Sequence, residues 1–279
     1  MEISKYWHKE KRTTQDHYGR TFDLTSWGGS SQSRDDAKAK SLKKIERWMF
    51  LLSGGEKLEE YEYASGQLRE ELIEEIVNSD GTLIGAVTRN RYGALVLNAA
   101  TVLIADIDVP QPGFMDWLRS LFGRSTKDKA YYLDHVYTYS ARHPACSLIV
   151  YETHAGFRVF ITSEEYAPEL NAASTILEQL KTDPLYKKLC LSQKCYRARL
   201  TPKPWRCGMD QPPNSFPRET PEQQGAFGRW LLEYTRKSKD CTVCKRITTL
   251  GPAEMTDNAR RILKAHDAVA VNDKLGTLA

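Results

Sequence analysis

The chain has 279 residues, enough for one large domain or two modest ones, and 41% of them are hydrophobic, which suffices for a packed core. There is no run of about 18 apolar residues, and Met1-Glu2-Ile3-Ser4-Lys5 lacks the apolar segment of a signal peptide, so the expectation is a cytoplasmic protein without a membrane partner. The net charge of +4 is mild, and six cysteines at irregular spacing argue for reduced thiols or a metal rather than a disulfide framework.

The first 30 or so residues are polar and aromatic, and Gly28-Gly29-Ser30-Ser31 reads as the end of a loop. Ser33 and Asp36 resemble a capping box, followed by a helix whose apolar face carries Leu42, Ile45, Met49 and Leu52. A second helix is expected from Gln67 to Val77, with Leu68, Leu72, Ile73 and Ile76 inward. The period then changes: Thr82 to Val87, Ala94 to Asn98 and Val102 to Val109 read as strands. Gln111 to Lys129, with an amphipathic piece around Met115 to Leu121, reads as an excursion from the sheet. Strands resume at Ser147 to Thr153 and Phe157 to Thr162, a helix follows over Pro168 to Leu180, and Cys195 to Leu200 is a further strand. Pro212-Pro213 and Pro217 mark an extended linker before helices at Ala226 to Arg236 and Thr256 to His266, on either side of a strand-like Cys241 to Thr248. The expected architecture is α+β, with one mostly antiparallel sheet: a helical N-terminal part over 1–80, a core over 81–210 and a helical C-terminal extension over 211–279.

The strand Val102 to Val109 carries Asp106 and Asp108. Strand side chains alternate between faces, so both carboxylates emerge on one side and can share an ion. Oxygen donors of this kind suit magnesium or manganese. The plain alternative is that both sit at an exposed strand end before Pro110. From Lys187 to Arg206 come Lys187, Lys188, Lys194, Arg197, Arg199, Lys203 and Arg206 with no Asp or Glu between them, interleaved with Tyr196 and Trp205 and preceded by Tyr186. Such a block is either a solvated face or a phosphate-binding surface. Arg197 and Arg199 are one pleat apart and share a face.

Three segments stand in a suggestive order: Ile104-Ala105-Asp106-Ile107-Asp108, then Thr153-His154-Ala155-Gly156-Phe157-Arg158-Val159-Phe160, then Asp183-Pro184-Leu185-Tyr186 running into Tyr196-Arg197-Ala198-Arg199-Leu200-Thr201-Pro202-Lys203. Over Gly81 to Lys203 this order resembles the archaeo-eukaryotic primase superfamily. The resemblance implies an RRM-like sheet with Asp106, Asp108 and Asp183 as catalytic metal ligands for Mg2+ or Mn2+. It also implies that Arg158, Tyr186, Arg197, Arg199 and Lys203 contact nucleotide or nucleic acid. The family usually has His in its second motif; here Arg158 stands there, and His154 lies four residues earlier at a non-equivalent place. Arg can grip a triphosphate through bidentate contacts. Read on its own, Thr182-Asp183-Pro184 is also an ordinary turn sequence, His154 fits a loop, Gly156 fits a tight turn, and His266-Asp267 fits either a helix end or the site.

Cys241 and Cys244 form a single CxxC, and with Cys195 and Cys207 they make a weak signal for structural zinc. The function expected is a metal-dependent nucleotidyltransferase that uses nucleoside triphosphates on a nucleic-acid strand, in primer synthesis or extension. The alternatives are a non-catalytic nucleotide- or nucleic-acid-binding module and a metal-dependent phosphohydrolase or nuclease. A helicase or accessory subunit as partner would leave no trace in this sequence, which contains no Walker-type loop.

Overall fold

Strands dominate the middle of the chain because β-branched and aliphatic runs there are punctuated by turn residues, and helices flank them. The computed structural model describes residues 1–55, 69–110, 128–271 and 277–279, and they form an α+β arrangement in which all the named strands pair antiparallel. The piece Met115 to Leu121 lies outside the described residues. No helix among them is long and apolar enough to cross a membrane.

The N-terminal loop expected from the sequence is instead a hairpin of β1 (Tyr6–Gln15) and β2 (Thr21–Ser30). Gly28 and Gly29 are not loop breakers but contact points. A Cβ on Gly28 would lie 2.0 Å from the Ala37 carbonyl, so its absence lets helix α1 (Arg34–Ser53) press its backbone onto the hairpin. Ser33 caps that helix, its Oγ accepting from the Asp36 N–H at 3.1 Å. The box is not closed as read, because the Asp36 carboxylate accepts from Ser30 Oγ at 2.6 Å. Leu24, Ile45 and Leu52 form a small core of their own between hairpin and helix, with Phe22, Trp48 and Met49 against it.

The helix expected over Gln67 to Val77 is corrected: residues 67–68 lie outside the described set, and β3 (Glu71–Val77) is a strand paired with β4 (Leu83–Arg89). Its register shifts twice, between Leu72 and Glu74 and between Ile76 and Val77. Each shift breaks the period of two, which made an edge strand look helical. Among the described residues, the expected helical N-terminal part is therefore a hairpin and one helix, and the strand β3 that closes it belongs to a larger sheet.

Two four-stranded sheets replace the single one expected. One has the order β3-β4-β5-β9 and the other β10-β7-β8-β6, with β5 (Leu95–Ala99), β6 (Ile104–Asp108), β7 (Leu148–Thr153), β8 (Gly156–Ile161), β9 (Tyr196–Arg199) and β10 (Cys244–Leu250). The edge strands β6 and β9 lie side by side, so the two sheets meet along the strand that carries Asp106 and Asp108. One continuous apolar core serves both, including Leu97, Leu103, Ile104, Ile107, Val150 and Phe160, all fully buried.

Helix α2 (Lys129–Arg142), capped by Asp128, was hidden by its many tyrosines and by having only Val136 and Tyr139 buried. Helix α3 (Asn171–Gln179) lies within the span expected. Helix α4 (Pro184–Gln193) starts where the sequence suggested only a turn: Asp183 is its N-cap and Pro184 its first residue. Helices α5 (Pro221–Ser238) and α6 (Asp257–Ala270) follow, and the proline-rich stretch before α5 carries no helix or strand. Helix α6 reaches both sheets: Ile262 covers Gly85 of β4, and His266 packs against Tyr151 of β7 and Phe160 of β8.

Candidate functional site

Strand β6 buries Ile104, Ala105 and Ile107 and leaves Asp106 half-buried and Asp108 exposed. Its partner across the ladder is β8, with Asp106 opposite Arg158 and Asp108 opposite Gly156. Residues directly opposite share a face, so Arg158 is delivered to the carboxylates by register alone. Gly156 is required by proximity and not by a turn conformation. A Cβ there would lie 1.9 Å from the Ile107 carbonyl.

Arg158 is only 3% exposed. Its Nη1 donates to the Arg199 carbonyl and to His266 Nε2, each at 3.0 Å. Its Nε stands 3.9 Å from Asp106 Oδ1, an ionic contact too long for a hydrogen bond. Neither that Nε nor the Nε of Arg199 has a hydrogen-bond partner, although both are buried. Leaving such a donor unmet costs on the order of 1–3 kcal/mol. Arg89 and Arg218 also have unmet Nε groups, but their guanidiniums lie against Glu71 and Phe227, in a separate cluster.

The charges here are crowded. Burial, reinforced by Asp108 and Asp183 and opposed by Arg158, raises Asp106 above the usual carboxylate range. Burial and the neighbouring Arg158 push Arg199 down to about 10. Lys203 is lowered by burial and by Arg199 and Arg206, while Arg206 is lowered by burial against the pull of Asp108. Asp106 and Asp108 thus face four cations, and Arg206, which the sequence offered only as one member of the basic block, belongs among them.

Asp183 joins the site through its backbone. Its N–H donates to the Asp106 carbonyl at 3.0 Å, while its Oδ1 accepts from the Tyr186 N–H at 2.8 Å as the cap of α4. Tyr186 is not free to stack on a base through a loose ring: its hydroxyl donates to the Ile104 carbonyl at 2.8 Å and accepts from the Arg197 N–H at 3.2 Å. Arg197 is committed elsewhere, paired at 2.7 Å with Glu70. The basic block is similarly divided. Lys187 pairs with Glu178, Lys194 with Glu169, and Lys188 is exposed on α4, while Arg199, Lys203 and Arg206 face the carboxylates.

Among the described residues, no group of three or more His, Cys, Asp or Glu side chains is arranged to hold a metal ion. Asp106 and Asp108, one pleat apart, remain as a pair of oxygen donors. That number suits Mg2+, which commonly takes one or two carboxylates and completes its shell with water and substrate phosphates. The cysteines are all free thiols; Cys195, just before β9, lies against Asn98, and Cys244 of β10 lies against His266. His154 sits exposed at the β7–β8 turn, near the Leu278 carbonyl.

No protein-family model, curated protein or solved structure matches this chain.

Proposed function

We propose that the protein is a metal-dependent nucleotidyltransferase of the primase-polymerase type, acting on nucleoside triphosphates and a nucleic-acid strand. The observation that carries this reading is the pair of buried guanidinium Nε donors, on Arg158 and Arg199, that lack acceptors beside the Asp106–Asp108 pair. Phosphate oxygens are the acceptors that such donors fit, and the short arginine-to-phosphate bond is charge-assisted. Asp106 and Asp108 would hold Mg2+ or Mn2+, which lowers the barrier to phosphoryl transfer by neutralising charge on the attacking and leaving oxygens. Arg158 and Arg199 hold the triphosphate, and Lys203 and Arg206 extend the cationic surface toward a strand. Asp183, bonded through its backbone to Asp106, fixes the position of the strand end relative to α4.

The rival reading is a binding module on the same scaffold without turnover. It draws support from the engagement of Asp183 as a helix cap, which occupies one oxygen of the third carboxylate. The two separate in one experiment. The purified protein is incubated with Mg2+ or Mn2+, labelled nucleoside triphosphates and single-stranded or primed templates, beside the Asp106→Ala/Asp108→Ala variant. Strand products that vanish in the variant are the expected result. Nucleic-acid binding with no incorporation, whatever the template or metal, would favour the module.

A further inference from the structure

Arg158 does not stand alone in its row. Across three strands the ladder aligns Asp106 of β6, Arg158 of β8 and Tyr151 of β7, so all three face the same side. Helix α6 lays His266 and Asp267 on that row. The imidazole is fully buried, with its ring 4.9 Å from that of Tyr151 and 4.8 Å from that of Phe160.

The directions of the hydrogen bonds that link Arg158, His266, Asp267 and Tyr151 are determined. A guanidinium can only donate, so His266 Nε2 must accept from Arg158 Nη1 at 3.0 Å. The ring proton is then on Nδ1, where it meets Asp267 Oδ1 at 2.7 Å. The Tyr151 hydroxyl donates to the same oxygen, also at 2.7 Å. A protonated imidazole would turn a second donor on Arg158, and burial opposes this by pushing His266 down to about 4. The neutral tautomer is therefore the working one. Such an outer partner, fixing tautomer and ring plane, is how proteins orient a ligand-facing group.

We propose that His266 and Asp267 are positioning residues: through Nε2 they anchor one end of the Arg158 guanidinium, so that its Nε stays directed at Asp106 and at the phosphate of a bound nucleotide. This rests on the reading of Arg158 as a phosphate-binding cation. Without the imidazole, Nη1 keeps only the Arg199 carbonyl, and a buried guanidinium with one fixed contact can turn away from the carboxylates.

The test compares wild type with His266→Leu, which removes the acceptor, His266→Gln, whose amide oxygen restores one, and Asp267→Asn, which weakens the hold on the ring. Two quantities are measured on the full chain. One is the nitrogen-15 resonance and hydrogen exchange of the Arg158 Nε–H, assigned by its absence in Arg158→Lys. The other is the affinity for inorganic triphosphate by calorimetry. His266→Leu should speed exchange of that Nε–H and weaken triphosphate binding by about 10-fold or more, the scale of a lost hydrogen bond to a charged group. His266→Gln should recover most of both, and Asp267→Asn should fall between. An Arg158 Nε–H unchanged in His266→Leu overturns the proposal, even if the melting temperature drops. If His266→Leu does not fold, an unshifted Nε–H in Asp267→Asn overturns it equally. Wild-type protein that binds no triphosphate would remove the functional reading, and the Nε–H comparison would still decide whether His266 positions Arg158.

Discussion

Asp106 and Arg158 are direct partners across β6 and β8, yet their charged atoms stop 3.9 Å apart. A closed ion pair would satisfy both groups and leave neither for a ligand. The gap keeps the carboxylate open to a cation and the guanidinium Nε open to an oxygen, at a cost in stability that a bound nucleotide with its metal would offset.

Arg199 should show that cost directly. Its ionisation is pushed down to about 10 by burial and by Arg158, so the charged form is disfavoured in the fold. For a cation with a lowered folded value, stability rises as pH climbs from that value toward the unfolded one, and below it the penalty is complete. Arg199→Met keeps the apolar stem and removes the charge. It should raise the melting temperature by a similar amount at pH 7 and pH 8.5 while weakening triphosphate binding by about 10-fold, the scale of one charge-assisted hydrogen bond. A lower melting temperature at both pH values would contradict this account.

Lys203 faces Asp108 and Asp106 from the start of the short helical turn at Pro204–Cys207. If it meets a strand phosphate, Lys203→Ala should weaken single-stranded binding uniformly across sequences. The slope of log affinity against log salt should become shallower by about 0.7, the counterion release of one contact. An unchanged slope would place Lys203 outside the strand path.

Gly156 leaves room for the Ile107 carbonyl of β6. Gly156→Ala puts a methyl group 1.9 Å from the Ile107 carbonyl, and backbone on both sides must give way. The expected loss is about 3 kcal/mol or more, at the upper end of overpacking penalties, with the Asp108 position displaced. Urea unfolding measures it, and a midpoint equal to wild type would show that the strands can part freely.

Tyr186→Phe removes one donor and one acceptor in a single atom. It leaves the Ile104 carbonyl and the Arg197 N–H without their side-chain partner, which should cost about 1–3 kcal/mol by chemical denaturation. A loss of triphosphate affinity out of proportion to that would mean that the ring also touches ligand.

The core strands were legible because Leu95–Ala99, Ile104–Asp108 and Leu148–Thr153 are short aliphatic runs between turn residues, a pattern buried strands impose on any sequence. The hairpin was not, since its apolar alternation is confined to Phe22 and Leu24 of β2 and the inward positions that follow are the small Ser26, Gly28 and Ser30. Strand β3 misled through its bulges, and Asp183-Pro184 carries the same residues whether it closes a turn or opens a helix. In the site, the pairing of Asp106 with Arg158 depends on strand register, which no local pattern encodes. Arg197 looked equivalent to Arg199 because both occupy one face; what distinguishes them is Glu70, distant in sequence and salt-bridged to the first. His266-Asp267 fitted a helix end or the site, and the contact of His266 with Arg158 comes from a helix crossing two strands it never pairs with.

The single oxygen of Tyr186 works as a gauge between the sheets. Strands β6 and β9 share no ladder of their own, so nothing in the backbone pairing fixes how far one is slid along the other. The hydroxyl, held on a helix outside both, touches Ile104 on one and Arg197 on the other. A slip of one strand by one residue would break at least one of these contacts and carry Arg199 past Asp106. Together with the Arg158–Arg199 bond, the Tyr186 hydroxyl thus sets the spacing between the acidic strand and the basic strand, and a chain that altered this one ring could retune that spacing while leaving each sheet intact.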